Sequence, residues 1–142
     1  MFHFEEGEVF LIDKPLDWTS FDAVNLIRSV IKRYHGIRKL KVGHAGTLDP
    51  LATGLLIVCT GRMTKQIDSF QAQEKVYTGT LLLGQTTPTF DMESEADASY
   101  PTDGITIDMM EDARKSFIGD IMQKPPKFSA IKINGKRAFD YA

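Results

Sequence analysis

Asp49 is the residue whose surroundings look most like chemistry. It sits in Gly43-His44-Ala45-Gly46-Thr47-Leu48-Asp49-Pro50-Leu51-Ala52-Thr53-Gly54, between two apolar runs. Glycine tolerates positive φ and close backbone approach, so Gly43, Gly46 and Gly54 predict a loop lying tightly against something. Pro50 removes a backbone donor and disfavours helix at Asp49, leaving that carboxylate on extended or turn-like backbone. Leu55-Leu56-Ile57-Val58-Cys59 reads as a short buried strand that would anchor the loop. A carboxylate on a loop held by a core strand is an arrangement an active site needs.

Three readings of this stretch are open on residue types alone. Asp49 could cap a turn, as an isolated Asp-Pro commonly does. The glycine amides could form a nest for phosphate, although the Lys-Ser/Thr ending of a nucleotide-binding P-loop is missing. The carboxylate could act as nucleophile or base. Spacing does not choose among them.

The whole motif, continued by Leu55 and Leu56, resembles the signature of the TruB family of tRNA pseudouridine synthases, which contains that family's catalytic aspartate. Other stretches resemble it in the same order. Asp13-Lys14-Pro15 with Trp18-Thr19-Ser20 is similar to the opening motif, and Glu74-Lys75-Val76-Tyr77 with Leu83-Gly84 to the strand bearing the active-site tyrosine. Pro125-Pro126-Lys127-Phe128-Ser129-Ala130-Ile131-Lys132 and Gly135-Lys136-Arg137 resemble the segment around a mobile RNA-binding insertion. A weaker match makes Thr87, Thr89 and Asp91 a cluster near bound RNA.

The resemblance implies an α+β fold with a mixed, mainly antiparallel sheet flanked by helices. Residues 1–142 would be the N-terminal part of a catalytic domain, with an RNA-binding insertion beginning near 124–142. The family continues past this point with further strands, one carrying an arginine that pairs with the aspartate, and many members add a C-terminal RNA-binding domain. The implied reaction turns uridine into pseudouridine at position 55 in the T arm of tRNA, without metal or cofactor. Asp49 and Tyr77 would be catalytic. His44, Lys14, Gly46, Thr47, Asp91, Lys132 and Arg137 would contact RNA or position the site, with His44 as a wedge filling the vacated base stack. Two other readings stand beside this one: a non-catalytic RNA-binding or folding module, and an inactive synthase fragment. A glycoside hydrolase ranks last, since it would want two apposed carboxylates.

The elements that would position these residues follow from periodicity. Residues 8–12 read as a strand. Thr19 and Asp22 make a helix start, after which Val24, Ile27, Val30, Ile31 and Tyr34 recur at helical spacing. That spacing leaves Arg28, Lys32 and Arg33 facing solvent, where phosphates could meet them. Residues 63–70 and 108–118 read as helices, 76–83 as a second core strand, and 85–104 as a long surface loop. Asn134-Gly135 is a turn signal.

Composition sets bounds. At 142 residues, 42% hydrophobic and 25% charged, the chain has the make-up of an ordinary globular domain. It has neither an apolar run approaching the ~20 residues of a membrane span nor a basic, apolar secretory start. Cys59 has no disulfide partner and reads as inert core, which fits a reducing cytoplasm. The net charge of −2 is unhelpful for RNA, but its distribution is polar. Between Ala23 and Leu48 there is no acid, whereas Arg28, Lys32, Arg33, Arg38, Lys39 and Lys41 are basic. Residues 91–112 carry eight acids and no lysine or arginine, and Lys124, Lys127, Lys132, Lys136 and Arg137 follow. His3, His35, His44 and Cys59 show no zinc-like spacing.

Overall fold

The structure is a computed structural model that describes residues 2–123 and the backbone of two short strands, Lys132–Ile133 and Lys136–Arg137. The chain divides into two compact units, Met1–Tyr77 and Thr78–Ala142. Helices and antiparallel sheets together make it an α+β protein, as the sequence predicts.

The first unit is built on a three-stranded antiparallel sheet in the order β1-β3-β2, from β1 (Val9–Lys14), β2 (Val42–His44) and β3 (Gly54–Thr60). Phe10 pairs with Val58 and Ile12 with Leu56, so β1 and β3 present matching alternate residues to one face. Helix α1 (Ser20–His35) covers that face, and Ala23, Val24, Val42, Leu56 and Val58 form the core. The opposite face keeps Leu11 and Leu55 exposed.

Helix α1 starts where the sequence places it. Asp22 N–H donates to Thr19 Oγ1 at 3.1 Å, and Thr19 N–H donates back to the Asp22 carboxylate at 2.9 Å, a reciprocal capping box. Its inward stripe is narrower than the periodicity implies: Val24 and Ile31 are buried, while Val30 and Tyr34 are exposed. Arg28 departs from expectation too. It donates to the Val42 carbonyl at 2.7 Å with its guanidinium 5.8 Å from the Phe21 ring, so it ties helix to sheet rather than standing free for phosphate.

Strand β1 runs two residues further than its apolar pattern, to Lys14, because pairing with Gly54 continues the ladder. After β3 the chain makes a 3-10 helix, Gly61–Gln66, then α2 (Ile67–Gln71), where one continuous helix was expected. Residues 76–83 are not a core strand: they lack regular structure, and Val76 is 87% exposed. Strand-forming residues become a strand only when a neighbouring backbone takes up their N–H and C=O groups. The sheet of the first unit has no fourth member among the described residues.

The second unit contains a strand pair, β4 (Gln85–Thr86) and β5 (Ala98–Ser99), within the expected loop. Helix α3 (Ile107–Lys115) follows, with Thr106 Oγ1 accepting from Met109 N–H at 3.3 Å, and its Met109 and Met110 are exposed. The strands β6 (Lys132–Ile133) and β7 (Lys136–Arg137) pair antiparallel, Lys132 opposite Arg137. The expected turn at Asn134-Gly135, the residues Lys124 and Lys127, and most of the expected insertion lie outside the described residues.

Two outcomes check this account. Leu56 is 1% exposed and its neighbour Leu55 63%, so Leu56→Ala should cost about 2–5 kcal/mol in denaturant unfolding and Leu55→Ala less than about 1. Equal costs would mean that the register is wrong. The hydrogen bonds from the Thr19 side chain and backbone hold the Asp22 carboxyl below its ordinary 3.8. A lowered pKa in the folded state stabilises above the ordinary value and is lost as pH falls through the lowered one. The stability gap between the protein and Asp22→Asn should therefore be full well above pH 3.8 and shrink as the pH falls through and below that value; a constant gap would show that the carboxylate charge does not support the cap.

Candidate active site

The Asp49 loop crosses the end of the sheet where β1 finishes and β3 begins. Asp49 is exposed on non-helical backbone, as Pro50 dictates. Residues 49–52 close a turn, with Ala52 N–H donating to the Asp49 carbonyl at 3.0 Å and Pro50 in the second position that proline favours. Among the described residues the Asp49 carboxylate has no ion-pair partner and no side-chain hydrogen bond.

What fixes Asp49 is the backbone on both sides of it. Ser20, the buried first residue of α1, accepts from Leu48 N–H at 2.8 Å and donates to the Leu48 carbonyl at 3.1 Å. One hydroxyl thus satisfies both polar groups of the residue before the aspartate. The residue after it is held too: the Pro50 carbonyl accepts from Asp17 N–H at 2.9 Å and, more loosely, from Lys14 Nζ at 3.5 Å. Asp17 reaches that carbonyl in a left-handed conformation, φ 63°, which Asp tolerates better than most residues.

Lys14 is 0% exposed. Strand alternation puts it on the helix-covered face with Phe10 and Ile12, and its partner across the ladder, Gly54, has no side chain. Its ammonium donates to the carbonyls of Pro15 at 2.9 Å and Trp18 at 2.5 Å as well as Pro50. An ammonium has three donors, and all three are spent on carbonyls. Lys14 is therefore a positioning residue that ties the 15–18 turn to the Asp49 loop.

His44, half-buried on β2, has Nδ1 2.6 Å from the Gly46 carbonyl. A carbonyl only accepts, so Nδ1 carries the hydrogen and Nε2 is left for another partner. Gly46 has φ 110° with open space where a Cβ would stand. It is needed for its backbone conformation rather than for close approach, and the same holds at Gly54. Only Gly43 meets the expectation of tight packing, since a Cβ there would lie 2.9 Å from Ile67 Cδ1. Thr47 is exposed beside the loop.

Tyr77 is 71% exposed on irregular backbone, and none of the hydrogen bonds that build the Asp49 loop involves it. Asp91, in the second unit, organises its own loop: Thr89 Oγ1 and Glu93 N–H donate to Oδ1 at 2.5 and 3.0 Å, and Thr87 Oγ1 to its carbonyl at 2.7 Å. The side chains of Lys132 and Arg137 lie outside the described residues. Cys59 is fully buried, and burial pushes its thiol pKa up, as befits inert core. Among the described residues no group of three or more His, Cys, Asp or Glu side chains could hold a metal ion. Nor is any described helix long and apolar enough to cross a membrane.

Sequence reading missed Ser20 and Asp17 as parts of this site. Ser20 reads locally as the first turn of a helix, and its value lies in a bond to Leu48, twenty-eight residues away. Ser20→Ala would orphan two partly buried backbone groups of Leu48, so unfolding stability should fall by about 1–3 kcal/mol. A loss below about 0.5 kcal/mol in urea unfolding would show that the hydroxyl does not hold the loop.

The sequence also matches known proteins. A family model described as TruB family pseudouridylate synthase (N terminal domain) matches residues 32–142. The chain is 59% identical over 140 residues to a tRNA pseudouridine synthase B of Phocaeicola vulgatus, covering 99% of this chain and 60% of the relative. It is 58% identical over 139 residues to that of Parabacteroides distasonis, covering 98% and 59%. With that of Flavobacterium johnsoniae it shares 52% over 138 residues, covering 96% and 60%. The chain thus spans about 60% of the length of these curated relatives.

Proposed function

Because the chain belongs to the TruB family of pseudouridylate synthases, we propose that it carries the catalytic carboxylate of a tRNA pseudouridine synthase acting on the T-arm uridine at position 55. The observation that carries this reading is Asp49 itself: an exposed carboxylate whose preceding and following residues are both pinned through their backbones. A turn cap needs no such support; a reacting group does, since small misplacements cost rate. The specific pseudouridine synthase fold belongs to the same proposal.

The reaction is an isomerisation. The bond between the sugar and N1 of uracil breaks, the base turns over, and the same sugar carbon bonds to C5. The C5 proton leaves and N1 regains one, so atoms and electrons balance without redox chemistry. Asp49 acts as nucleophile or as base on the sugar or the ring. The target base must first leave its stack, at a cost of a few kcal/mol. On this reading His44, fixed through Nδ1 to Gly46, fills the gap while Gly46 and Thr47 line the approach. Tyr77, exposed in this structure, stacks on the flipped base once RNA is bound. Lys14 contributes through loop position. Lys132, Arg137 and the Asp91 loop contact RNA outside the reacting nucleotide, and the protein works in the cytoplasm.

The test is to incubate the protein with a tRNA transcript and map pseudouridine at single-nucleotide resolution. Product at the T-loop uridine supports the reading; tight binding without product selects the RNA-binding module or the inactive synthase fragment instead. Asp49→Asn is expected to abolish product while tRNA affinity stays within a few-fold, as loss of a group used only in the transition state requires. A single-turnover rate within about tenfold of the unaltered protein would rule out Asp49 as the essential group.

A further inference from the structure

The two neighbours of Asp49 are held with unequal security. Leu48 shares two bonds with one buried hydroxyl, at 2.8 and 3.1 Å. Pro50 has no N–H, so its carbonyl is the one backbone polar group through which it can be held. That carbonyl accepts a close bond from Asp17 N–H at 2.9 Å and a long one from Lys14 Nζ at 3.5 Å. Lys14 spends its shorter bonds on Pro15 and Trp18, and a hydrogen bond stretched to 3.5 Å is weak. The Pro50 side of the loop therefore hangs on the Asp17 amide.

The backbone of Asp17 aims that amide. Among the described residues, Asp17 and Phe90 are the two non-glycine residues with positive φ, each at 63°. The Phe90 amide bonds within its own turn, to the Thr87 carbonyl, whereas the Asp17 amide leaves its turn to reach another loop. The carbonyls of Pro15 and Trp18, on either side of Asp17, are both held by the Lys14 ammonium. With those flanks fixed, a negative φ at position 17 would swing the preceding peptide plane, N–H included, away from Pro50. The side chain takes no part. Asp17 is exposed, and its carboxylate forms neither a hydrogen bond nor an ion pair among the described residues.

We propose that Asp17 is a positioning residue for the reaction, acting through its left-handed backbone and not through its carboxylate. The inference rests on the reading of Asp49 as the reacting carboxylate. A left-handed Asp17 keeps Pro50 in place, and Pro50 in place keeps Asp49 at the reacting atoms. Substitutions at 17 then rank by their tolerance of positive φ rather than by charge. Glycine and asparagine adopt that conformation readily, alanine less so, and β-branched valine least.

The experiment makes Asp17→Gly, Asp17→Asn, Asp17→Ala and Asp17→Val in the full chain. It measures tRNA transcript affinity, single-turnover product formation at saturating RNA, and hydrogen exchange of the amide at position 17. For Asp17→Val the amide should lose protection and the saturated rate fall about tenfold, with affinity within about twofold. Asp17→Gly and Asp17→Asn should keep the amide protected and the rate within about threefold. Asp17→Ala should fall between, and it keeps the test decisive if the valine variant does not fold. Ile31→Ala, a core truncation in the far half of α1, separates positioning from general destabilisation. It should cost at least as much unfolding stability as Asp17→Val, yet hold its saturated rate within about twofold. Valine as fast as aspartate with its amide unprotected would overturn the role. So would a slowed variant whose amide stays protected, or glycine and asparagine as slow as valine, because the carboxylate would then be what matters. A rate loss shared by Ile31→Ala would overturn it too. In each of these cases the unaltered protein still forms product and the proposed function stands. An unaltered protein that forms no product sinks the synthase reading and this inference with it.

Discussion

The candidate site depends on a pair of tethers either side of one carboxylate. A surface loop of Gly, Thr and Pro has little intrinsic reason to hold one conformation, because glycine leaves the backbone free. Here Leu48 is held by the Ser20 hydroxyl and Pro50 by Asp17 and Lys14. Asp49 is thereby fixed through its backbone while its carboxylate stays exposed and uncommitted. A direct bond to the carboxylate would have fixed it as well, but at the expense of its availability to a reactant.

These tethers explain why a lysine is buried at the end of β1. Burying an ammonium without partners is strongly unfavourable, and three carbonyls supply the compensation. The cation draws the 15–18 turn and the aspartate loop to one point, and the turn leads directly into the capping box that starts α1. Ser20 follows at once on that cap, so helix start, strand end and aspartate loop form a single junction. A disturbance at any of the three reaches Asp49 through one or two hydrogen bonds.

Strand β3 extends the same logic along the molecule. It is the central strand, paired on both sides, and its alternate residues Leu56 and Val58 are the core. Central strands with both edges satisfied are the stiffest parts of a small sheet. The end of β3 at Gly54 carries the aspartate loop, so that loop rides on the most strongly held element of the first unit.

Local chemistry was legible in the sequence. Thr19 and Asp22 specify the capping box within four residues, Pro50 keeps Asp49 off a helix, and the apolar run after Gly54 becomes β3. The residues needed to suspect Asp49, and the family they resemble, stand in one contiguous motif. Partnership across distance was not legible. Residues 76–83 have the composition of a strand and no partner among the described residues, because propensity describes one backbone and a ladder needs two. Arg28 lies on the outward side by helical spacing, yet its side chain is long enough to reach Val42. Ser20, Asp17 and Lys14 became parts of the site only when α1 and the end of β1 were brought against the loop. Hydrogen bonds within a few residues follow from chain geometry alone; those spanning twenty or more are decided by how the core packs, which is why the tertiary structure was needed to find them.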